Sequence, residues 1–261
     1  MKNTKATKSR AKRSLGYSDD IQPGDVIALG DIHGSWDMYC QFLAWVKDSG
    51  ASIILLGDMI DRGKWDLEVL NATKGILQDP ESWGLQSFSA LRGNHEQMFI
   101  DASEGHRSDI SLWVQNGGKV KLLSKMIEDH LDWIKELPIF ITIGDTMFIH
   151  AGVIPGQNPA ESILQGKSED LVWIRNPFLS KGPQLAKWSN TIKRVIHGHT
   201  ITIYDGDRDG YLPIVKPDRV NIDTGAFLPE GFLTAYNVTQ NTFYKFDRYL
   251  FDEEDSDYAA A

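Results

Sequence analysis

Within the first 63 residues an apolar strand-like run twice empties into a loop built on glycine and aspartate, and this repetition limits the possible folds more than any other feature. Val26-Ile27-Ala28-Leu29 runs into Gly30-Asp31-Ile32-His33-Gly34, and Ser52-Ile53-Ile54-Leu55-Leu56 runs into Gly57-Asp58-Met59-Ile60-Asp61-Arg62-Gly63. Both apolar runs have the length and bounding turn residues of buried strands. Residues 36–48 and 66–77, which follow the two loops, read as helices. A third strand, near 86–91, delivers Arg92-Gly93-Asn94-His95-Glu96. Three successive strand-loop-helix units predict an α/β fold with its polar loops gathered at one sheet edge, where such folds place their chemistry.

The rest of the chain supplies partners for those loops. Residues 97–136 read as mainly helical, interrupted by Asn116-Gly117-Gly118, an insertion expected to form one wall of a site. Strands at 139–143 and 147–149, joined by a Gly144-Asp145 turn, end in His150-Ala151-Gly152. Residues 153–190 are rich in proline and glycine and are expected to be cap or substrate-facing loops. Lys193-Arg194-Val195-Ile196 then feeds His197-Gly198-His199-Thr200, and strands near 219–223, 231–237 and 242–247 are expected to close a second sheet.

Composition excludes several classes. At 261 residues and 41% hydrophobic, the chain can bury a substantial core, and one soluble domain is expected. No apolar run approaches the roughly 20 residues of a membrane span, and the N-terminus lacks the apolar stretch of a secretory signal, so a cytoplasmic location is expected. Lys2, Lys5, Lys8, Arg10, Lys12 and Arg13 form a basic tail without acids. The 27 Lys and Arg less these six leave 21 against 36 Asp and Glu, near −15, so the body should not bind nucleic acid except weakly through the tail. Asp252-Glu253-Glu254-Asp255-Ser256-Asp257 forms an acidic counterpart. The single cysteine, Cys40, rules out an internal disulfide framework. It also fails as a phosphatase nucleophile, because the arginine needed six positions on is Val46. Cys40 is read as a packed core thiol.

Six candidate ligands stand at strand ends: Asp31, His33, Asp58, Asn94, His150 and His199. Carboxylate, imidazole and amide donors suit borderline or hard ions such as manganese, iron or zinc. A carboxylate can bridge two ions, and two ions about 3.5 to 4 Å apart can share a hydroxide and clamp the oxygens of a phosphoryl transfer. Asp and Asn also favour turns and helix starts, which is the bland alternative for each residue taken alone. His106 and His130, in the helical region, are read as ordinary surface or partly buried histidines.

Gly30-Asp31-Ile32-His33-Gly34, Gly57 to Gly63 and Gly93-Asn94-His95-Glu96, followed by His150 and His199, resemble in order the five motifs of the metallo-dependent serine/threonine phosphoprotein phosphatases. The likeness is nearest to the compact bacterial and bacteriophage lambda-type enzymes. It implies a metallophosphoesterase sandwich of two mixed β-sheets flanked by helices, with a dinuclear metal site at strand ends. The catalytic domain would span 21–250, between a basic tail at 1–20 and an acidic tail at 251–261. By the resemblance, Asp31 and His33 hold one ion, Asp58 bridges, and Asn94, His150 and His199 hold the other. The two divalent ions would be manganese first, with iron or zinc as alternatives. Arg62, Arg175 and Asn94 would bind the substrate phosphate, Arg62 as a bidentate fork. His95 would protonate the leaving oxygen, oriented by Asp61. A hydroxide held between the ions would attack phosphorus in line, without a phosphoenzyme.

Two departures refine the branch. Broader metallophosphoesterases place a further ligand histidine where this chain has Ile201. Eukaryotic phosphoprotein phosphatases carry a Ser-Ala-Pro-Asn-Tyr-Cys-like motif where this chain has Asn221-Ile222-Asp223-Thr224-Gly225-Ala226, as bacterial and phage members do. The expected substrate is a phosphoprotein or phosphopeptide, carrying phosphoserine or phosphothreonine with dual specificity open. The rivals are a symmetrical dinucleoside tetraphosphate hydrolase, which usually lacks the aspartate found here as Asp61, and a non-catalytic metal-fold module anchored to nucleic acid by its tail.

Overall fold

A computed structural model describes residues 21–205 and 210–248. The tails expected at 1–20 and 251–261 lie outside the described residues. The three repeated units appear as β1 (Val26–Leu29), α1 (Trp36–Val46), β2 (Ser52–Leu55), α2 (Asp66–Gln78) and β3 (Ser87–Ala90). Their strands run parallel, with Ile27 opposite Ile53 and Ile53 opposite Phe88. The helical insertion is α3 (Asn94–Ser103), α4 (Arg107–Gln115) and α5 (Val120–Lys135). On α5, Met126, His130 and Ile134 recur every four residues and form its buried face, as an amphipathic helix requires.

A second sheet follows. β4 (Phe140–Ile143) and β5 (Thr146–Ile149) form a hairpin, and β6 (Arg194–His197), β7 (Ile214–Lys216) and β8 (Arg219–Asn221) extend it in the order β4-β5-β6-β8-β7. Between β5 and β6, where loops were expected, lie three short helices, α6 (Pro159–Leu164), α7 (Ser168–Trp173) and α8 (Phe178–Lys181). Each has six residues or fewer, too short for apolar periodicity to reveal.

The last two strands depart from expectation. β9 (Leu233–Asn237) and β10 (Thr242–Phe246) do not close the second sheet; they return to the first, whose order is β10-β9-β1-β2-β3. β9 lies antiparallel to β1, with Ala28 opposite Tyr236 and Leu29 opposite Ala235. It thereby covers an edge that would otherwise leave backbone groups of β1 unpaired. Its side chains meet two different layers: Leu233 and Ala235 join the helix-side core, and Tyr236 joins the core between the sheets.

The period-2 alternation of strands sorts residues between those layers. Ile27, Leu29, Ile53 and Leu55 face the helices, while Ala28, Ile54 and Leu56 face Phe148, Ile196, Val220 and Ile222 of the second sheet. Met147, Ile149 and Val195 pack on the far side against Leu171 and Phe178. Two mixed sheets flanked by helices result, with every parallel strand ending at the same edge. Cys40 is half-buried on α1 instead of lying in the core, and its thiol is pushed up to about 12 by burial and by Asp37. No helix among the described residues is long and apolar enough to cross a membrane.

Phe148, fully buried between the sheets, tests this layering. Phe148→Ala is expected to cost about 3–5 kcal/mol of stability in denaturant titration. A loss below about 1 kcal/mol would mean that the inter-sheet layer can collapse around the cavity.

Candidate metal centre

The loops after β1, β2, β3, β5, β6 and β8 meet at one edge, and sterically restricted backbone holds them there. Of eight non-glycine residues with positive φ among the described residues, five are here: His33, Asp58, Asp61, Arg62 and His199. Such conformations persist only where the surroundings over-determine them. Two glycines permit the approach of neighbouring loops. A Cβ on Gly93 would collide with Asp58 Oδ1, and one on Gly198 would collide with Asp31 Oδ1.

Asp58 is the hub, and its two oxygens face two different groups. Its Oδ2 lies 3.5 Å from His33 Nε2 and 3.9 Å from His95 Nε2, while its Oδ1 lies 3.3 Å from His150 Nε2. Asn94 Oδ1 stands 3.0 Å from His150 Nε2 and 2.8 Å from His199 Nδ1. Two compact groups of donors thus share Asp58: His33, Asp58 and His95, and Asp58, His150 and His199.

Backbone carbonyls orient three of the imidazoles. His33 Nδ1–H donates to Ile60 at 2.9 Å, His150 Nδ1–H to Leu56 at 2.9 Å, and His199 Nε2–H to Trp173 at 3.2 Å. In each ring the other nitrogen is turned toward the centre, the arrangement by which outer partners orient metal-binding histidines. Burial, with His95 beside it, holds His33 well below the usual imidazole range, and burial with His150 and Arg175 does the same to His199. Burial opposes charging His150 as well, but Asp58, Asp31 and Glu96 outweigh it and raise that ring to about 9. Burial also opposes the charge on Asp58, yet His150, His95 and His33 keep its carboxyl well below the usual range. Imidazole, carboxylate and amide oxygen converging at this spacing fit a divalent-metal site.

His95 sits apart in its partnering. Its Nδ1 is 2.7 Å from Asp61 Oδ2, whereas its buried Nε2 has no hydrogen-bond partner and points toward the hub. Asp61 in turn accepts from Trp113 Nε1–H at 2.9 and 3.0 Å. Burial raises the Asp61 carboxyl to about 6 despite the pull of His95. Lys119 caps the neighbouring Asp66 at 2.6 Å, and Asp66 Oδ1 accepts from the Asp61 backbone at 3.2 Å. Glu96 is a clamp: its carboxylate accepts from the backbone N–H groups of Asp58, Met59 and Gly93 at 2.8, 2.8 and 2.9 Å. Its burial, with Asp58 close by, raises it to about 7.

The candidate ligands and the two arginines lie at this edge, in different positions. Asp31 is outside both compact groups; its oxygens accept from the His199 backbone at 3.1 and 3.3 Å. Its carboxyl is raised well above the usual range by burial and by Asp223. Arg62 is exposed at the mouth, its Nη1 donating to His33 Nε2 at 3.1 Å. Arg175, exposed beyond α7, feels the charges of Arg62, Asp58, Asp223 and Asp31. His197 is buried behind the centre, edge-on to Phe178 and outside both groups. His130 is buried on α5, accepting from Trp133 at 3.1 Å, and His106 is exposed. The sequence reading assigned no role to Trp113, Glu96 or Asp223. Trp113 resembled any apolar residue of an amphipathic helix, although Gly118, whose Cβ would strike its indole, hinted at close approach.

The profile of a family described as calcineurin-like phosphoesterase matches residues 24–222. The chain is 39% identical over 220 residues to serine/threonine-protein phosphatase 2 of Salmonella typhimurium, a match covering 80% of this chain and 91% of that one. It is 39% identical over 95 residues to serine/threonine-protein phosphatase 1 of the same organism, which covers 36% of this chain and only 38% of that one. A symmetrical bis(5'-nucleosyl)-tetraphosphatase of Chromobacterium violaceum is 28% identical over 136 residues, half of this chain and 44% of that one. In fold, the chain superposes with a TM-score of 0.59 on a Saccharomyces cerevisiae protein serine/threonine phosphatase similar to human phosphatase PP5, at 14% identity and covering 90% and 84% of the two chains.

The Glu96 clamp makes a stability prediction. Glu96→Gln replaces an acceptor oxygen by a donor, so at least one of three buried N–H groups loses its partner. A loss of about 1–3 kcal/mol is expected in thermal or denaturant unfolding. An unchanged midpoint would show that the clamp is not needed to hold the two loops together.

Proposed function

This chain belongs to the calcineurin-like phosphoesterase family, and we propose that it hydrolyses phosphate esters with divalent metal as a serine/threonine protein phosphatase. The observation that carries the reading is the Asp61–His95 pair, 2.7 Å apart, with His95 Nε2 facing the hub. The resemblance noted from the sequence gives tetraphosphatases a second motif without the aspartate at this place, so the pair favours the phosphoprotein branch. The extent of the match to phosphatase 2, 91% of its length, supports the same choice.

In this reading His33, Asp58, His150, His199 and Asn94, with Asp31 alongside, hold two divalent cations, manganese foremost. When bound, the cations would supply Lewis-acid charge against the phosphoryl oxygens and lower the pKa of an attacking water. Arg62 and Arg175, at the exposed mouth, grip the incoming phosphate, and the planar Arg62 fork fits two of its oxygens. Asn94 offers its amide to the same group. His95 donates the Nε2 proton to the leaving serine or threonine oxygen. Asp61 holds the opposite nitrogen of that ring, and Trp113 fixes Asp61, so the imidazole keeps one orientation through the transfer.

A second reading, hydrolysis of dinucleoside tetraphosphates, is favoured by the tetraphosphatase match through 136 residues. Chelator-stripped protein with manganese restored should release inorganic phosphate from a phosphothreonine peptide faster than it cleaves diadenosine tetraphosphate. Nucleoside diphosphates as the main product, with the peptide untouched, would transfer the assignment to the second reading. Asp58→Asn and His95→Asn should each lower peptide turnover by about 100-fold or more while circular dichroism stays unchanged. Full turnover in either metal-loaded variant would remove the hub or the acid from the mechanism.

A further inference from the structure

Arg62 carries a charge that no carboxylate among the described residues neutralises by an ion pair. Its guanidinium has two supports instead. One is His33 Nε2, at 3.1 Å, a nitrogen that a bound cation would take; the other, independent of the cation, is the face of Phe227, whose ring centroid lies 4.6 Å from Arg62 Cζ. The same ring stands edge-on to His33, with centroids 5.0 Å apart and planes at 85°. Phe227 therefore touches both the arginine at the mouth and a histidine of the centre.

The loop that presents this ring, between β8 and β9, is tied to itself. Gly225 N–H donates to Asp223 Oδ1 at 3.0 Å, Leu228 N–H to Gly225 at 2.8 Å, and Gly231 N–H to Leu228 at 3.1 Å. Thr224 Oγ1–H reaches the Phe232 carbonyl, and Arg248 donates to Ala226 at 2.9 Å from outside the loop. A Cβ on Gly231 would strike the Gly225 carbonyl, so the fold-back admits no larger residue there. The half-buried ring is thus carried on a fixed support, whereas Arg62 projects on a long side chain from a residue at φ 65°. Ordering such a side chain costs rotamer entropy each time it grips an anion, unless something holds it beforehand.

We propose that Phe227 is a positioning residue for the phosphate-binding arginine: its ring holds the Arg62 guanidinium over the site before phosphate arrives. This rests on Arg62 being the phosphate ligand in the proposed function. A cation over an aromatic face keeps its N–H edges free. The support therefore does not compete with the phosphate oxygens, as a carboxylate partner would.

The test is the binding of inorganic phosphate to manganese-loaded protein by isothermal titration, read beside kcat and KM on a phosphothreonine peptide. Phe227→Leu should weaken phosphate binding about 3- to 10-fold and raise KM comparably, with kcat within about twofold and bound manganese unchanged. Phe227→Trp, which keeps an aromatic face, should restore binding to within about twofold. In an Arg62→Ala background, Phe227→Leu should cost nothing further, because the group it positions is gone. The same loss in that background, or unaltered phosphate binding in the single variant, would overturn the proposal. Phosphate binding that follows this pattern in a protein inert toward the peptide would overturn the phosphatase reading and leave the role of Phe227 standing.

Discussion

Asp31, Asp58, Asp61, Glu96 and Asp223 are all buried at one edge of the sandwich, and the cost of burying so many carboxylates together is the constraint that shapes everything around them. Isolated carboxylates in such a setting would take up protons, and the raised values of Asp61, Glu96 and Asp223 show that pressure. Asp58 alone among them is pushed the other way, because His150, His95 and His33 surround it. The fold thus turns its imidazoles on one carboxylate and supports the others by hydrogen bonds: Glu96 on three backbone N–H groups, Asp31 on the His199 backbone, Asp223 on Gly225, and Asp61 on the Trp113 and His95 side chains. A pair of divalent cations at Asp58 would relieve the remaining repulsion as well as serve chemistry. Assembly of this edge and metal affinity are therefore coupled properties.

The close approach of the loops explains why so much of the backbone at this edge is held at positive φ. Parallel strands deliver their loops to one line, but side chains that share an ion must approach more closely than ordinary turns allow. His33, Asp58 and His199 turn through the left-handed region to do so, and Gly93 and Gly198 let backbone pass against carboxylates. The cost of these conformations falls on the layers beneath. Strands buried on both faces anchor the loop roots, and Glu96 ties the loop after β2 to the loop after β3.

Much of this was legible in the sequence because it is local. The strand-loop-helix rhythm, the glycine-flanked aspartates and histidines, and the amphipathic insertion are each written in one contiguous stretch of chain, and the structure puts the flanked aspartates and histidines at one edge of two mixed sheets. The errors arose where the determining contact is remote. Nothing within 231–247 says that β9 must seal β1 instead of extending β8, since that choice depends on which open edge remains after the first three units pair. The short helices between β5 and β6 carry too few turns to show a period. Cys40 was placed in the core from its aromatic neighbours, but it occupies a flank of α1 that is only half covered.

The same distinction separates the groups that perform the chemistry from those that adjust it. The donors around Asp58 come from short motifs at strand ends, whereas their supports come from elsewhere: Trp113 from α4, the Trp173 carbonyl from the end of α7, and Phe227 from the loop before β9. Each support touches a motif residue through one geometric contact and asks little of its sequence neighbours. Among these supports Phe227 is half-buried and can vary with little disturbance of the fold, whereas Trp113 is fully buried in the helix-side core. In the proposed function, the remote segments that orient His95, His199 and Arg62 are where substrate preference would be adjusted. On the same reading, the motif would place the attack on a phosphoryl group at this edge, and the supporting segments would set how tightly that group is held.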